Sequence, residues 1–391
     1  MTRQRLIAHI DMDAFYASVE LLRYSDLVGR PVVIGGGSRH KPVDAIDPAT
    51  GATIRHYSTL GGYVGRGVIT TATYEARALG LHSAMGMMKA SQLAPEAVLL
   101  PVDFDQYRKY SRLFKAAVRE IAPEIEDRGI DEIYADLTDV VDPMRDPWDA
   151  AREIAAGIKR AVREVTGLNC SIGVTPNKLL SKIASDLDKP DGLTILKDDD
   201  VAGRIWPLSP RKINGIGPKA TAKLTGLGIA TIGTLAQTEP RYLVSQFGKS
   251  FGTWMHEAAN GRDDRPVVTF SEPKSISRET TFERDLHPVR DREALSQIFT
   301  ELCEALAGDL RRKGYVGKTI GLKLRFDNFQ TVTRDRTLKA PTQDAWAIRR
   351  TASECLKSVN LDRKLRLLGV RISSLEPAEQ VKNATSPGLF E

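Results

Sequence analysis

The sequence predicts a multidomain α+β chain, and three observations predict it. Apolar runs suited to buried strands alternate with amphipathic helical segments as far as Leu196. Beyond Leu196 the pattern changes to short helices joined by glycine-rich turns. A last module, from Pro273 to Ser374, has the periodicities of strand, helix, strand, strand, helix, strand. With 391 residues, 41% of them hydrophobic, there is apolar material for several packed cores.

Taken in order, Leu6-Ile7-Ala8-His9-Ile10 reads as a buried strand ending on Asp11-Met12-Asp13, with a helix from Ala14 to about Tyr24. Pro31 to Ile34 is a second strand, closed by Gly35-Gly36-Gly37. Between Ser38 and Arg66 the turn Asp47-Pro48-Ala49-Thr50-Gly51 joins Val43–Ile46 to Ala52–Tyr57, which predicts a surface hairpin. Gly67 to Thr71 is expected as a strand, followed by a helix from Tyr74 to Leu79. Helices are expected at Phe104–Ala122 and Pro147–Thr166, and strands at Ile133–Leu137 and Cys170–Val174.

Ile213-Asn214-Gly215-Ile216-Gly217-Pro218-Lys219 and Leu227-Gly228-Ile229 punctuate the small helical domain, and Asn260 to Pro273, polar and proline-bearing, is expected to be a linker. In the last module Leu295, Ile298, Leu302, Leu306 and Leu310 keep helical spacing, as do Ala345, Ile348, Ala352 and Cys355. Ile320, Leu322, Leu324 and Phe326 alternate with Thr319, Gly321, Lys323 and Arg325, as in a half-buried strand with cations on its wet face. The stretch from Glu376 to Glu391 lacks periodicity and reads as a mobile tail.

Lys and Arg number 56 against 50 Asp and Glu, a formal charge of +6. The excess is concentrated: Pro273 to Ser374 carries 21 Lys and Arg against 13 Asp and Glu, a net of +8, and leaves −2 for the rest. A near-neutral body able to hold cations in carboxylates and a basic module able to hold phosphates are therefore expected in one chain. Three scattered cysteines exclude a disulfide framework and a zinc pair, which points to the cytoplasm. The apolar run after the basic N-terminus is broken by His9, Asp11 and Asp13, so neither a signal peptide nor a membrane span is expected.

Two acidic groups carry the chemistry. Asp11-Met12-Asp13 lies at a strand end and Asp131-Glu132 at the start of another strand. If the two strands are neighbours, Asp11, Asp131 and Glu132 converge, and three crowded carboxylates must either protonate or bind hard cations such as Mg²⁺. Two such ions suit phosphoryl transfer.

These acids stand with Asp13-Ala14-Phe15-Tyr16-Ala17-Ser18-Val19-Glu20, with Thr70-Thr71-Ala72-Thr73-Tyr74-Glu75-Ala76-Arg77, and with Ser171-Ile172-Gly173-Val174-Thr175-Pro176-Asn177-Lys178 through Lys189-Pro190-Asp191-Gly192. In this order the segments resemble the Y-family DNA polymerases, most closely their DinB branch, from Leu6 to about Leu375. The resemblance implies a right-hand polymerase. Residues 1-14 and 104-196 would form the palm, 15-103 the fingers with an insertion at 38-66, and 197-262 a helix-hairpin-helix thumb. Residues 263-272 would be a linker, 273-374 the βαββαβ little finger and 375-391 a flexible tail.

It further implies that Asp11, Asp131 and Glu132, with the Met12 carbonyl, bind two catalytic Mg²⁺ ions, for which Mn²⁺ can substitute. Phe15, Tyr16, Thr71, Tyr74, Arg77 and Lys189 match the nucleotide site. Tyr16 is the steric gate whose ring a ribose 2′-hydroxyl would strike, and the other polar groups meet the triphosphate. Lys182 is left between a DNA contact and a contact to a neighbouring acid. Gly215, Gly217 and Lys219 match the hairpin that approaches a DNA phosphate. Lys323, Arg325, Arg334 and Arg336 match a phosphate-gripping face. Leu389 and Phe390 match a sliding-clamp anchor, with Ser386 where Gln is usual. Gly129 stands where Ser is common, and the segment 38-66 is longer than usual, being either a passive hairpin or one that reaches over the template base.

The activity so implied is low-fidelity, template-directed addition of dNTPs to a primer in lesion bypass, without a proofreading domain, by a monomer in the cytoplasm acting on primer-template DNA. Two rivals remain at this stage. A non-catalytic relative bridging clamp and polymerase subunits would lack the carboxylates, and a palm-fold nucleotide cyclase would have no use for the hairpin or the +8 module.

Overall fold

The computed structural model describes residues 4–380 and divides into two compact units, the first ending at Phe270 and the second beginning at Ser271.

The first unit is built on a five-stranded sheet in the order Leu193–Ile195, Cys170–Thr175, Ile7–Met12, Glu132–Asp136, Ile125–Asp127. Ile7–Met12 is central, antiparallel to both neighbours and buried on both faces except at Asp11, and that burial is why its sequence is largely apolar. Alternation sorts its side chains. Ala8, Ile10 and Met12 join a core with Phe114, Val118, Ile158 and Val162 of the helices Phe104–Ile121 and Pro147–Thr166. His9 and Asp11 point the other way, toward the helix Lys178–Ser185 and the open end of the sheet. Asp103, Asp146 and Asn177 cap the three helices through their side-chain oxygens, and Pro147 and Gly167 punctuate the second as the sequence predicts.

A second sheet, in the order Ser58–Thr59, Val98–Leu100, Val32–Ile34, Thr71–Ala72, has its own core around Val33, Leu60, Tyr63, Ile69 and Met87. The expected strand Gly67–Thr71 is reduced here to Thr71–Ala72. Ile69 N–H bonds Met85 and Thr70 N–H bonds Ile34, so this stretch crosses between two partners rather than following one. The hairpin is present as Val43–Ile46 and Thr53–His56, and Asp47 organises its turn by accepting from Ala49 N–H and the Thr50 hydroxyl. Ser58–Thr59, within the expected insertion, instead pairs with Val98–Leu100, and Leu60 and Tyr63 are core residues. The surplus is thus the hairpin itself.

Helices Pro218–Gly226, Ile232–Gln237, Pro240–Phe247 and Lys249–Ala259 share a core with Leu179, Leu180 and Ile183. The expected linker is pinned over its first half. Asp263 accepts from Leu179 N–H, Lys178 donates to Pro266 O, and buried Glu126 takes both Lys178 and Val268 N–H.

The second unit is the predicted βαββαβ module. Its antiparallel sheet runs Ser275–Leu286, Leu365–Pro377, Tyr315–Phe326, Thr331–Thr342, covered on one face by Arg292–Lys313 and Ala345–Lys357. The last strand continues to Pro377, opposite Tyr315, three residues beyond the expected end at Ser374. Leu389 and Phe390 lie outside the described residues.

Candidate active site and nucleic-acid interface

The register of the central sheet sets Asp11 opposite Glu132 on one side and Ser171 on the other, and Met12 N–H bonds the Asp131 carbonyl at 3.0 Å. The neighbouring strands expected from the sequence are therefore present; Asp11 faces Glu132 across them, and Asp131 lines a pocket with Asp11. Ligand atoms of His9, Asp11 and Glu132 lie within 4.8 Å of one another.

Two lysines balance the cluster. Lys189 Nζ is 2.7 Å from Asp11 Oδ1 and 2.9 Å from Asp186, while Lys182 is hydrogen-bonded to Glu132. Of the two roles open to Lys182, the neighbouring acid is the one observed. His9, fully buried, puts Nε2 3.4 Å from Glu132 and Nδ1 2.8 Å from Ser185 Oγ. Parity was the signal for His9, which stands two residues before Asp11 on the same strand face.

Burial pushes Asp11 above the usual carboxylate range, against the pull of Lys189. Burial and the adjacent Glu132 charge push Asp131 up as well. Burial alone would also raise Glu132, but hydrogen bonds from His9 and Lys182 outweigh it and hold Glu132 down at about 2. Lys189 is held above its ordinary value because Asp11 and Asp186 overcome its burial. The carboxylate oxygens of Asp11, Asp131 and Glu132 are hard donors of the kind that suit divalent cations. Gly129 leaves this set undisturbed: a Cβ there would meet Asp131 Oδ1 at 3.7 Å, an ordinary contact.

A pocket of about 150 Å³ opens beside the acids, lined by Asp11, Met12, Ala14, Phe15, Tyr16, Thr70, Thr71, Arg77, Ser83, Asp131 and Lys189. Eight of these were expected from the sequence; Ala14, Thr70 and Ser83 were not. Tyr74 directs its hydroxyl 3.3 Å from Asp13 Oδ1, and Arg77 lies 4.9 Å over the Tyr74 ring while donating to Ala72 O.

Tyr16 has a built support. Its ring stacks on Tyr107 at 4.3 Å and 16° and meets Phe104 edge-on, and the Tyr107 hydroxyl donates to buried Glu20 at 2.8 Å. Phe15 is buried against Tyr107 and Phe114 and reaches the pocket only at its wall. Neither Tyr107 nor Glu20 stood out in the sequence, because their roles are made by contact across distant segments.

In the helical region Gly215, at φ 112°, is pressed on Trp254, where a Cβ would come within 2.7 Å of the indole. Gly217 begins the helix Pro218–Gly226 with open space around it, and Lys219 lies in its first turn, exposed.

The basic residues of the second unit do not share one face. Lys323 and Arg325 pair across the strands with Thr333 and Thr331 on the open face. Arg334 and Arg336 sit opposite Leu322 and Ile320, whose side chains face the helices, and Arg336 is 2.7 Å from Glu354 of Ala345–Lys357. The four residues expected from the sequence to meet phosphates lie on strands, and strand parity splits them between two faces. Lys323 also lies 2.7 Å from Glu279. No described helix is long and apolar enough to cross a membrane.

The impB/mucB/samB family matches residues 10–186, and its C-terminal domain matches residues 273–384. A DNA polymerase IV of Methanoculleus marisnigri is 42% identical over 96% of both chains. Another, of Alkalilimnicola ehrlichii, is 39% identical over 95% of this chain and 96% of its own. A solved Y-family DNA polymerase chimera superposes with a TM-score of 0.77 at 24% identity, covering 94% of this chain and 98% of that one.

Proposed function

The chain belongs to the impB/mucB/samB family of Y-family, DinB-type polymerases, and from that premise we propose how its residues extend a primer. It is a DNA-directed DNA polymerase of the translesion type, metal-dependent, with primer-template DNA and dNTPs as substrates. The observation that carries the mechanism is the pairing of Asp11 with Glu132 beside Asp131, at the mouth of a pocket walled by Tyr16, Arg77 and Lys189. The non-catalytic alternative is disfavoured because the relatives are DNA polymerases and Asp11, Asp131 and Glu132 are all present in the chain.

Asp11, Asp131, Glu132 and the Met12 carbonyl would hold two divalent cations, Mg²⁺ with Mn²⁺ able to substitute, which lower the pKa of the primer hydroxyl and stabilise the transferring phosphoryl charge. Lys182 and His9 keep Glu132 ionised and oriented. Lys189, Arg77, Thr71 and Tyr74 cradle the triphosphate, and Tyr16, seated on Tyr107, closes the space a 2′-hydroxyl would need. Phe15 backs the sugar pocket from the core. Gly215, Gly217 and Lys219 hold one DNA phosphate at the helix start, and Lys323 and Arg325 grip the backbone from the open sheet face. Leu389 and Phe390 anchor the tail on a sliding clamp, and the enzyme works as a cytoplasmic monomer; these readings rest on the sequence resemblance.

Primer extension on undamaged and abasic templates tests the reading. Wild type is expected to extend both, and the Asp131→Ala, Glu132→Ala double variant neither. Equal extension by the double variant would overturn the metal-site assignment.

A further inference from the structure

Asp13 stands two residues beyond Asp11, yet it is 5% exposed and takes no part in the pocket wall. Its Oδ1 accepts from Ser171 Oγ at 2.8 Å and from the Tyr74 hydroxyl at 3.3 Å, and its Oδ2 accepts from Asp191 N–H at 2.8 Å. Ser171 Oγ in turn accepts from Gly192 N–H at 3.1 Å. The Asp13 backbone is committed too, its N–H to Asn169 O at 3.1 Å and its carbonyl to Ser18 Oγ at 2.6 Å. Next to it Ala14 is left-handed at φ 44°, a conformation that a non-glycine residue adopts only where its surroundings enforce it.

The three donors come from three places. Ser171 is on the strand beside Asp11, Tyr74 opens the helix that carries Arg77, and Asp191 is two residues past Lys189. We propose that Asp13 is a positioning residue whose buried carboxylate fixes the spacing between Tyr74 with its helix and the loop bearing Lys189, and so sets the width of the triphosphate cradle. This rests on the polymerase reading above. An ionised acceptor serves the task because charge-assisted bonds to buried hydroxyl and N–H donors are the strong ones, and a carboxylate can take all three at once.

Steady-state single-nucleotide incorporation by the full chain tests it. Asp13→Ala is expected to raise KM for the dNTP about tenfold, with a smaller fall in kcat. Asp13→Asn is expected to return KM to within about threefold of wild type. The amide oxygen can take Asp191 N–H, and the amide NH₂ can donate to Ser171 and Tyr74, whose hydroxyls rotate to accept. Should Asp13→Ala fail to fold, Ser171→Ala removes one donor only and should raise KM by about threefold. Unchanged KM with loss confined to thermal stability would overturn the inference, as would an Asn variant no better than Ala. A wild-type chain that does not extend primers would refute the polymerase reading instead.

Discussion

Gly173 lies in the strand Cys170–Thr175, directly under the helix Lys178–Ser185. A Cβ built there would be 2.3 Å from Ser181 O, 2.4 Å from Ser185 N and 2.7 Å from Ala184 Cβ. Two of these atoms are backbone, so no rotamer change relieves Gly173→Ala, and the helix must lift by about 1 Å to restore ordinary contact. Overpacking of this kind costs about 1–3 kcal/mol, and rigid backbone on both sides places it at the upper end. Replacing a strand glycine by alanine returns roughly 0.5 kcal/mol. The net of about 2.5 kcal/mol corresponds to a fall of roughly 5–10 °C in Tm for a unit of this size. The same helix carries Lys182, bonded to Glu132, and Ser185, beside His9. Displacing those supports by about 1 Å should lower kcat by up to ~10²-fold. Thermal unfolding followed by circular dichroism, with single-nucleotide incorporation measured well below the transition, reads both effects. A Tm within about 2 °C of wild type together with unchanged kcat would refute the argument that this close approach seats the acid cluster.

The support under Tyr16 and the split of the basic residues give two further tests. Tyr16→Ala should lose deoxyribose preference by roughly 10–10²-fold in the ratio of kcat/KM for dNTP and rNTP, and Tyr107→Ala should lose part of it because the gate ring loses its stacked neighbour. Unchanged ratios in both would remove the gate. In DNA-binding titrations against salt, Lys323→Ala with Arg325→Ala should reduce the slope of log Kd on log salt by about 1–2, whereas Arg336→Ala, on the helix-covered face, should hardly alter it. Equal effects from the two variants would contradict the assignment of faces.

How far the sequence was legible follows from how local each signal is. Strand and helix periods identified the central strand, the two long helices and the whole βαββαβ module, because burial of one face writes itself into spacing. The site acids were legible because they stand at strand ends, and one antiparallel register brings them together. The face of Arg334 and Arg336 was not legible for want of that same register: both lie on a strand as expected, but parity relative to Leu322 decides their face, and no local pattern in a charged edge strand declares it. Ser58–Thr59 was absorbed into the insertion because a two-residue strand has no period to detect. The Tyr107–Glu20 support, the seat on Gly173 and the threefold engagement of Asp13 join residues from 61 to 178 positions apart or close the sheet against a helix, and only folding makes them.

The charges around the pocket are arranged for exchange. Lys189 is paired with Asp11, and Lys182 with Glu132. The two pairs differ in what lies around them. Lys189 lines the pocket with Thr71 and Arg77, whereas Lys182 sits against buried His9 and does not line it. On the polymerase reading, a triphosphate held with a divalent cation in that pocket would offer negative charge to Lys189 and positive charge to Asp11, so both ends of that ion pair would have a new partner. Lys182 has no such alternative and stays on Glu132. On that reading the pair that would open is Lys189–Asp11, and the pair that would persist is Lys182–Glu132, which holds Glu132 ionised. Asp13 fits the same division: its donors anchor the loop just beyond Lys189 while leaving the ammonium itself free to change partners.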